Sequence, residues 1–416
     1  MRTELKALGL LLIIFNSACI AAVAADTGGR WQIGMPITTY YAGPPINDVT
    51  AKQMADGGFN LIWCTEQELD TAGKYGLRAQ LTAVELKPQT MSDPAQLAKL
   101  DALIERVKHH PAMYSYYIID EPSAALFPAL GKLVAHLRER DPAHLAYINL
   151  FPIYANNEQL GTKGDPVTAY RGYLRLFFEH VKPDILSYDH YHFTSSGKDN
   201  EQYFLNLGLI RQTALDAGIS FMNIVQGCSW EESMRVPNGD EMRWLNYTSL
   251  AYGAQALSYY VYGYIEKHMG GMAHENGSTT VQYAAARELN PQFIAIASQL
   301  QSLRSLGAYH TGVVPSGAVA LPENSPFSLD FSGDGMSQMP AEGMLLGYFG
   351  KSGKSADPTH ALVVNLNYKS AVTATVVGPA RLSLFDTVTQ KWTLADGSRA
   401  VVTLPPGGGK LVRVQF

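Results

Sequence analysis

The ten residues MYSYYIIDEP, 113–122, decide how the chain is read. A run of apolar and aromatic residues ends abruptly in Asp120, Glu121 and Pro122, and a helical pattern follows from Ser123. This is the signature of a buried strand that delivers two carboxyls to the mouth of a pocket. One acid near a helix start is ordinary, because the macrodipole favours it and Pro is tolerated at the first helical position. Two acids behind so apolar a strand are not explained in that way. Desolvation there raises a carboxyl pKa toward the range of a general acid, which makes Glu121 the first candidate catalytic residue.

The same unit recurs on both sides of this strand. Strands are predicted over 31–40, 59–64 and 77–84 before it, and over 145–152, 184–193, 220–227 and 256–264 after it. Helical patterns separate or follow them over 47–56, 94–109, 123–140, 170–180, 202–217, 241–252 and 281–306. Short apolar strands covered on both faces, alternating with helices through eight units, match the α/β class and the (β/α)8 TIM barrel. A doubly wound sheet binding a dinucleotide would carry a Gly-rich turn after its first strand, and none is present. Beyond residue 307 the helical period stops. Short runs over 361–365, 372–377, 380–385, 391–394 and 411–416, broken by Gly, Pro, Asn and Asp, predict a small C-terminal antiparallel β-sandwich. The expected organisation is a barrel over 26–306 and a sandwich over 307–416. The sandwich reads as a packing module, with Trp392 its one carbohydrate-binding candidate.

Length and composition agree with this plan. A chain of 416 residues, 46% hydrophobic and 17% charged, has room for one large domain and a small companion. A net charge of −5 without a Lys/Arg cluster argues against nucleic acid as a partner. Arg2 and Lys6 precede an apolar run over 7–15, and Ala22-Val23-Ala24 supplies a small-residue cleavage pattern. This predicts an export signal over 1–25 rather than a stable membrane span, and a periplasmic or secreted protein. Asn16-Ser17-Ala18-Cys19 offers a lipoprotein cleavage site instead, but that motif wants an aliphatic residue where Asn16 stands. Cys64 and Cys228 then remain, too few for a disulfide framework and without the spacing of a zinc site.

TIM-barrel sites form at the C-terminal ends of the strands. Those ends carry Tyr40 with Tyr41, Trp63 with Glu66, Glu85, Asp120 with Glu121, Asn149, Asp189 with Tyr191, Gln226 with Trp230, and Tyr264 with Glu266. Carboxyls, amides and flat rings are the equipment of sugar chemistry: acids for the glycosidic oxygen, amides and acids for hydroxyls, rings for the apolar face of a pyranose. Asp189 and Tyr191 share a strand face by the period-two rule. His190 and His192 also share one, but alternation turns it away from Asp189, and a catalytic zinc wants three convergent ligands. No metal or other cofactor is assigned. The loop over 266–278, rich in Gly and His, reads as a lid or a long surface loop.

Asp-Glu-Pro after a fourth barrel strand resembles the Asn-Glu-Pro signature of the large clan of glycoside hydrolases built on this barrel. The stretches YINLFPIYAN (147–156), DILSYDHYHF (184–193) and LAYGAQALSYY (250–260) are similar to pieces of bacterial barrel hydrolases related to the family 42 β-galactosidases. The ending LPPGGGKLVRVQF (404–416) is similar to the end of the sandwich such enzymes often carry. The resemblance implies an exported glycosidase acting on an oligo- or polysaccharide, with Glu121 as acid or acid/base and Asp120 at the sugar 2-hydroxyl. It also implies a nucleophilic Glu at the end of the seventh strand, where this chain has Val225-Gln226-Gly227. An amide cannot be a nucleophile. Glu231, Glu232 and Glu241 lie further on, and Asp189 is the better-placed partner. The missing Glu tilts the expectation toward inversion, with Glu121 protonating the leaving oxygen and Asp189 activating a water held between carboxyls about 6.5–9.5 Å apart. A barrel that binds carbohydrate without cutting it, and a metal-dependent hydrolase, are the alternatives.

Overall fold

The computed structural model describes residues 36–351 and 357–415. The expected export signal and the first part of the expected strand over 31–40 lie outside them. Eight parallel strands follow: β1 (Ile37–Tyr41), β2 (Leu61–Cys64), β3 (Arg78–Leu81), β4 (Met113–Asp120), β5 (Leu145–Leu150), β6 (Ile185–His190), β7 (Ser220–Gln226) and β8 (Ala256–Tyr260). They hydrogen-bond in the order β1-β8-β7-β6-β5-β4-β3-β2. The seam between β1 and β2 is bridged by the Asn60 N–H donating to the Thr38 carbonyl at 3.0 Å and by Thr39 Oγ1 donating to the Leu61 carbonyl at 2.8 Å. The sheet is thus a nearly closed barrel.

Inward side chains plug its lower half. Ile37, Leu61, Tyr114, Leu145, Ile185, Met222 and Ala256 form one buried cluster, while the outer faces pack on the helices. Those helices are α1 (Asp48–Asp56), α2 (Leu69–Lys74), α3 (Pro94–Val107), α4 (Phe127–Arg140), α5 (Asn157–Leu160), α6 (Pro166–His180), α7 (Tyr203–Ala217), α8 (Gly239–Ala251) and α9 (Val281–Leu300). Their starts follow the capping rules: Asn47 closes a capping box on α1, and Asp93 and Asp165 each accept backbone N–H groups ahead of a Pro at the helix start. The helix expected from Ser123 begins later, after a 3₁₀ turn at Ala124–Leu126, because Pro128 has no N–H to give and fits only a first turn. Among the described residues no helix is long and apolar enough to cross a membrane.

The helix expected to run to residue 306 stops at Leu300, and Arg304–His310 is a strand, β9, paired with a later one. Then come β10 (Val319–Ala320), β11 (Ser328–Asp330), β12 (Met344–Gly350), β13 (His360–Asn365), β14 (Val372–Val377), β15 (Leu382–Asp386), β16 (Lys391–Leu394), β17 (Arg399–Leu404) and β18 (Gly409–Val414). They make a seven-stranded sheet, β10-β9-β12-β13-β18-β15-β16, and a three-stranded sheet, β11-β14-β17. Phe327, Met344, Leu346, Val363, Val376 and Leu404 belong to the core of this part. The seven-stranded sheet lies on α8, where Trp244 Nε1 donates to the Leu366 carbonyl at 3.1 Å. Trp392 is no exposed platform: its Nε1 donates to Gln299 of α9 at 3.0 Å, and the Arg413 guanidinium covers its ring at 4.2 Å.

Candidate active site

The backbone at the end of β4 breaks alternation. Pairing with β5 shifts register between Tyr117 and Ile119, and Glu121 then adopts a left-handed conformation with φ +44° while its N–H still donates to the Asn149 carbonyl at 2.9 Å. A non-glycine residue there costs roughly 1–2 kcal/mol, a strain met most often at functional sites. Its effect is concrete. Adjacent residues of a strand point to opposite faces, yet here Asp120 and Glu121 both reach the mouth of the barrel.

Asn149 organises the carboxyls. Its Nδ2 donates to Asp120 at 3.0 Å and to Asp189 at 2.9 Å. Its Oδ1 accepts from Ser187 Oγ at 3.0 Å, and Ser187 in turn meets the Tyr147 hydroxyl at 2.9 Å, so the amide has one orientation. The Tyr41 hydroxyl donates to the other oxygen of Asp120 at 2.8 Å. Glu121 and Asp189 hydrogen-bond each other directly. Two buried carboxyls in contact cannot both ionise, so the pair holds a proton. Burial first, and the neighbouring Asp120 charge second, push Glu121 up to about 7, while the Asp189 bond pulls the other way. Burial and the Glu121 charge hold Asp189, only 5% exposed, well above the usual carboxylate range. Burial raises Asp120 as well, opposed by its bonds from Asn149 and Tyr41.

Aromatic rings wall the mouth. Trp63 lies 4.4 Å from Tyr117 and 4.8 Å from Tyr41; Tyr41 continues to Tyr260 at 5.7 Å, and Tyr260 to Tyr191 at 5.5 Å and Trp230 at 5.3 Å. Trp230, 37% exposed, is backed by the His268 ring at 4.9 Å and 28°. The loop carrying His268 is stapled to the loop after β7: Ser229 N–H donates to the Met269 carbonyl at 2.8 Å, Met269 N–H to Ser229 Oγ at 2.8 Å, and Gly271 N–H to the Gly227 carbonyl at 2.9 Å.

The structure therefore brings Glu121, Asp189, Asp120, Asn149, Trp63, Tyr191 and Trp230 together. Three expected site residues stand elsewhere. Tyr40 is 1% exposed on the outer face of β1, its hydroxyl on Met54 Sδ at 3.1 Å; Tyr41 takes the inner position. Gln226 is 1% exposed and engaged with backbone: Oε1 accepts from the N–H groups of His192 and Phe193 at 3.1 and 2.9 Å, and Nε2 donates to the carbonyls of Phe193 and Arg235. It ties the loops after β6 and β7 and presents nothing to a sugar. Tyr264 is 49% exposed in the loop beyond β8, and Tyr260 supplies the ring at that strand end. Tyr117, Tyr260 and His268 are further residues of the site. The apolar alternation of β4 and β8 gave the first two their signal, but not its phase; His268 had none.

The expected partner of Glu121 stands beside it: the Glu121 and Asp189 carboxyls interact directly. Of the other acids, Glu241 pairs with Arg235 at 2.6 and 2.8 Å and caps α8, while Glu231 and Glu232 are exposed in the turn after Trp230. The histidines are structural: His190 Nδ1 meets Asn206 at 2.9 Å, and His192 stacks on Trp244 at 4.5 Å and 12°. Among the described residues no group of three or more His, Cys, Asp or Glu is placed to hold a metal ion.

No family model matches this chain, and no curated protein sequence matches it. Among solved structures it is similar to the β-galactosidase from Bacillus circulans sp. alkalophilus, at 10% identity over 92% of this chain and 99% of that one, with a TM-score of 0.58. It is also similar to a solved glycoside hydrolase, at 12% identity over 90% of each chain, with a TM-score of 0.51. Likeness at such identities is likeness of fold, here the (β/α)8 barrel followed by a β-sandwich.

Proposed function

We propose that the protein is an exported glycoside hydrolase of the clan with an acid/base Glu after the fourth barrel strand, acting on an oligo- or polysaccharide. Glu121 is its proton donor, and Asp189 shares that proton. One observation carries the reading: a carboxyl raised to about 7 sits at the C-terminal mouth of the barrel, inside an aromatic wall, next to two further carboxyls fixed by one amide. A donor with a pKa near the working pH is what protonation of a glycosidic oxygen needs. Rings stacked around the mouth suit the apolar faces of sugars. Asp120, fixed by its bonds from Tyr41 and Asn149, is assigned to a hydroxyl of the sugar next to the cleaved bond.

Glu121→Gln tests it. The amide keeps the shape, cannot give a proton, and is expected to lower turnover by about 10²–10⁴-fold while saccharide binding, read by calorimetry, persists. Undiminished release of reducing ends by that variant would remove Glu121 from the chemistry. Gln226, bound to backbone where a nucleophile is expected, supports a second reading, a carbohydrate-binding barrel without turnover. In that case wild type binds saccharides and releases no reducing ends from any of them.

A further inference from the structure

We propose that the chain carries a second binding site, away from the barrel mouth, for a small organic oxyanion: a carboxylate or phosphate monoester on a compact, partly apolar body. The site is a cavity of about 420 Å³ where α6, α7 and the end of α8 meet β9 and β10. That is room for a ligand of monosaccharide size. Arg171 of α6 and Arg211 of α7 line it together with Tyr252, Tyr309, Leu209 and Leu306, and among the described residues no Asp or Glu does. The chain as a whole has a net charge of −5, yet this wall is cationic. The site stands independently of the glycosidase reading.

Arg211 is the centre of it. Its Nε donates to Ser305 Oγ at 2.9 Å and one Nη to the Ser305 carbonyl at 3.1 Å, both neutral acceptors in β9. Its remaining N–H groups have no partner among the described residues, and no carboxylate there pairs with Arg211, Arg171 or Arg304. The acid that follows on α7, Asp216, is engaged by Gln212 Nε2 at 2.7 Å. Burial lowers the Arg211 pKa and the nearby Arg304 guanidinium pulls the same way, but a guanidinium keeps its charge at neutral pH. A half-buried cation that faces neutral groups and a second cation is costly, and a bound anion offsets that cost.

Two glycines shape the cavity. Gly208 stands inside α7, where a glycine weakens a helix. A Cβ there would stand 3.8 Å from the Gly317 carbonyl and 3.9 Å from the Tyr252 ring, both of them walls of the cavity, so any longer side chain would fill it. Gly307 lies so close beneath Tyr309 that a Cβ would overlap the ring and its hydroxyl, which places that hydroxyl along the same wall. The rings and leucines suit the apolar body, and the guanidiniums with the Tyr309 hydroxyl suit the oxyanion. Because Arg211 also ties α7 to β9, a ligand on it stabilises the junction of barrel and sandwich.

The full chain is titrated by calorimetry at low ionic strength with glucuronate, glucose 6-phosphate and benzoate, beside glucose, benzyl alcohol and inorganic phosphate. Saturable binding of an organic oxyanion is expected, with a thermal midpoint that rises with its concentration. The stronger of the carboxylate and phosphate arms identifies the head group. Arg211→Gln and Gly208→Leu are each expected to weaken that binding about tenfold or more and to leave any binding of the uncharged compounds unchanged. Arg171→Gln, at an exposed position, is expected to weaken it too, and with Gly208→Leu it keeps the test open if Arg211→Gln does not fold. Absence of oxyanion binding at millimolar concentration, or binding that Arg171→Gln and Gly208→Leu leave unchanged, overturns the proposal. Equal affinity for inorganic phosphate overturns the organic body.

Discussion

A carboxyl whose ordinary pKa is 4.5 keeps its proton to about 7 at Glu121, so under the proposed function this one residue ties stability and catalysis to the same titration. Below about pH 4 the side chain is protonated whether the chain is folded or unfolded. Between there and about 7 the folded state binds the extra proton, and folding stability falls as pH rises. Gln mimics the protonated form and never ionises. Glu121→Gln is therefore expected to match wild type in urea unfolding near pH 4 and to exceed it by on the order of 1 kcal/mol or more near pH 8. No widening of the gap with pH would mean that the carboxyl is not held in its neutral form. Catalysis reads the same group in the opposite sense. As the general acid deprotonates, kcat/KM of the wild type is expected to fall above about pH 7, and a limb centred near the ordinary carboxylate range would point to a different acid.

At the scale of elements, Gln226 shows what a strand end does when it is not part of the chemistry. Its amide makes four backbone bonds across two loops, and removing it strands buried N–H and carbonyl groups at about 1–3 kcal/mol each. Gln226→Ala is expected to lower the urea midpoint by the equivalent of about 2 kcal/mol or more. Gln226→Glu should be no better, since a carboxylate accepts from His192 and Phe193 but faces the Phe193 and Arg235 carbonyls with nothing to donate; stability equal to wild type would show that these bonds contribute little. The same strand shows what was legible. Existence and order of the eight strands follow from apolar runs of the right length, because burial on both faces writes itself into composition. Phase does not. Tyr40 and Tyr41 are indistinguishable until the register of β1 with β8 is known, and the shift between Tyr117 and Ile119 is invisible in a row of Tyr and Ile. That Glu121 is an acid at a strand end could be read; that a left-handed backbone sets it beside Asp189, rather than across a sugar from it, could not.

For the whole molecule, the question is whether barrel and sandwich are one cooperative unit. A single buried cluster runs from the barrel helices into the second part, taking in Trp244 and Leu245 of α8 together with Leu345, Phe349, Leu362, Val364 and Leu366. Gly347 of β12 lies so close to the Ala251 backbone at the end of α8 that a Cβ would overlap its carbonyl. Trp244 is the joint: 3% exposed, bonded to the Leu366 carbonyl, and stacked on His192, three residues beyond Asp189. Removing a buried indole costs about 3–5 kcal/mol through lost burial and the cavity left behind. Trp244→Ala is thus expected to lower the stability of barrel and sandwich together, in one transition with coincident near-ultraviolet and far-ultraviolet midpoints. Because His192 loses its stacking partner while the Gln226 bonds still hold its backbone, kcat should fall less than stability does. Two separated transitions, with the barrel unfolding as in wild type, would show that the shared core does not couple the parts.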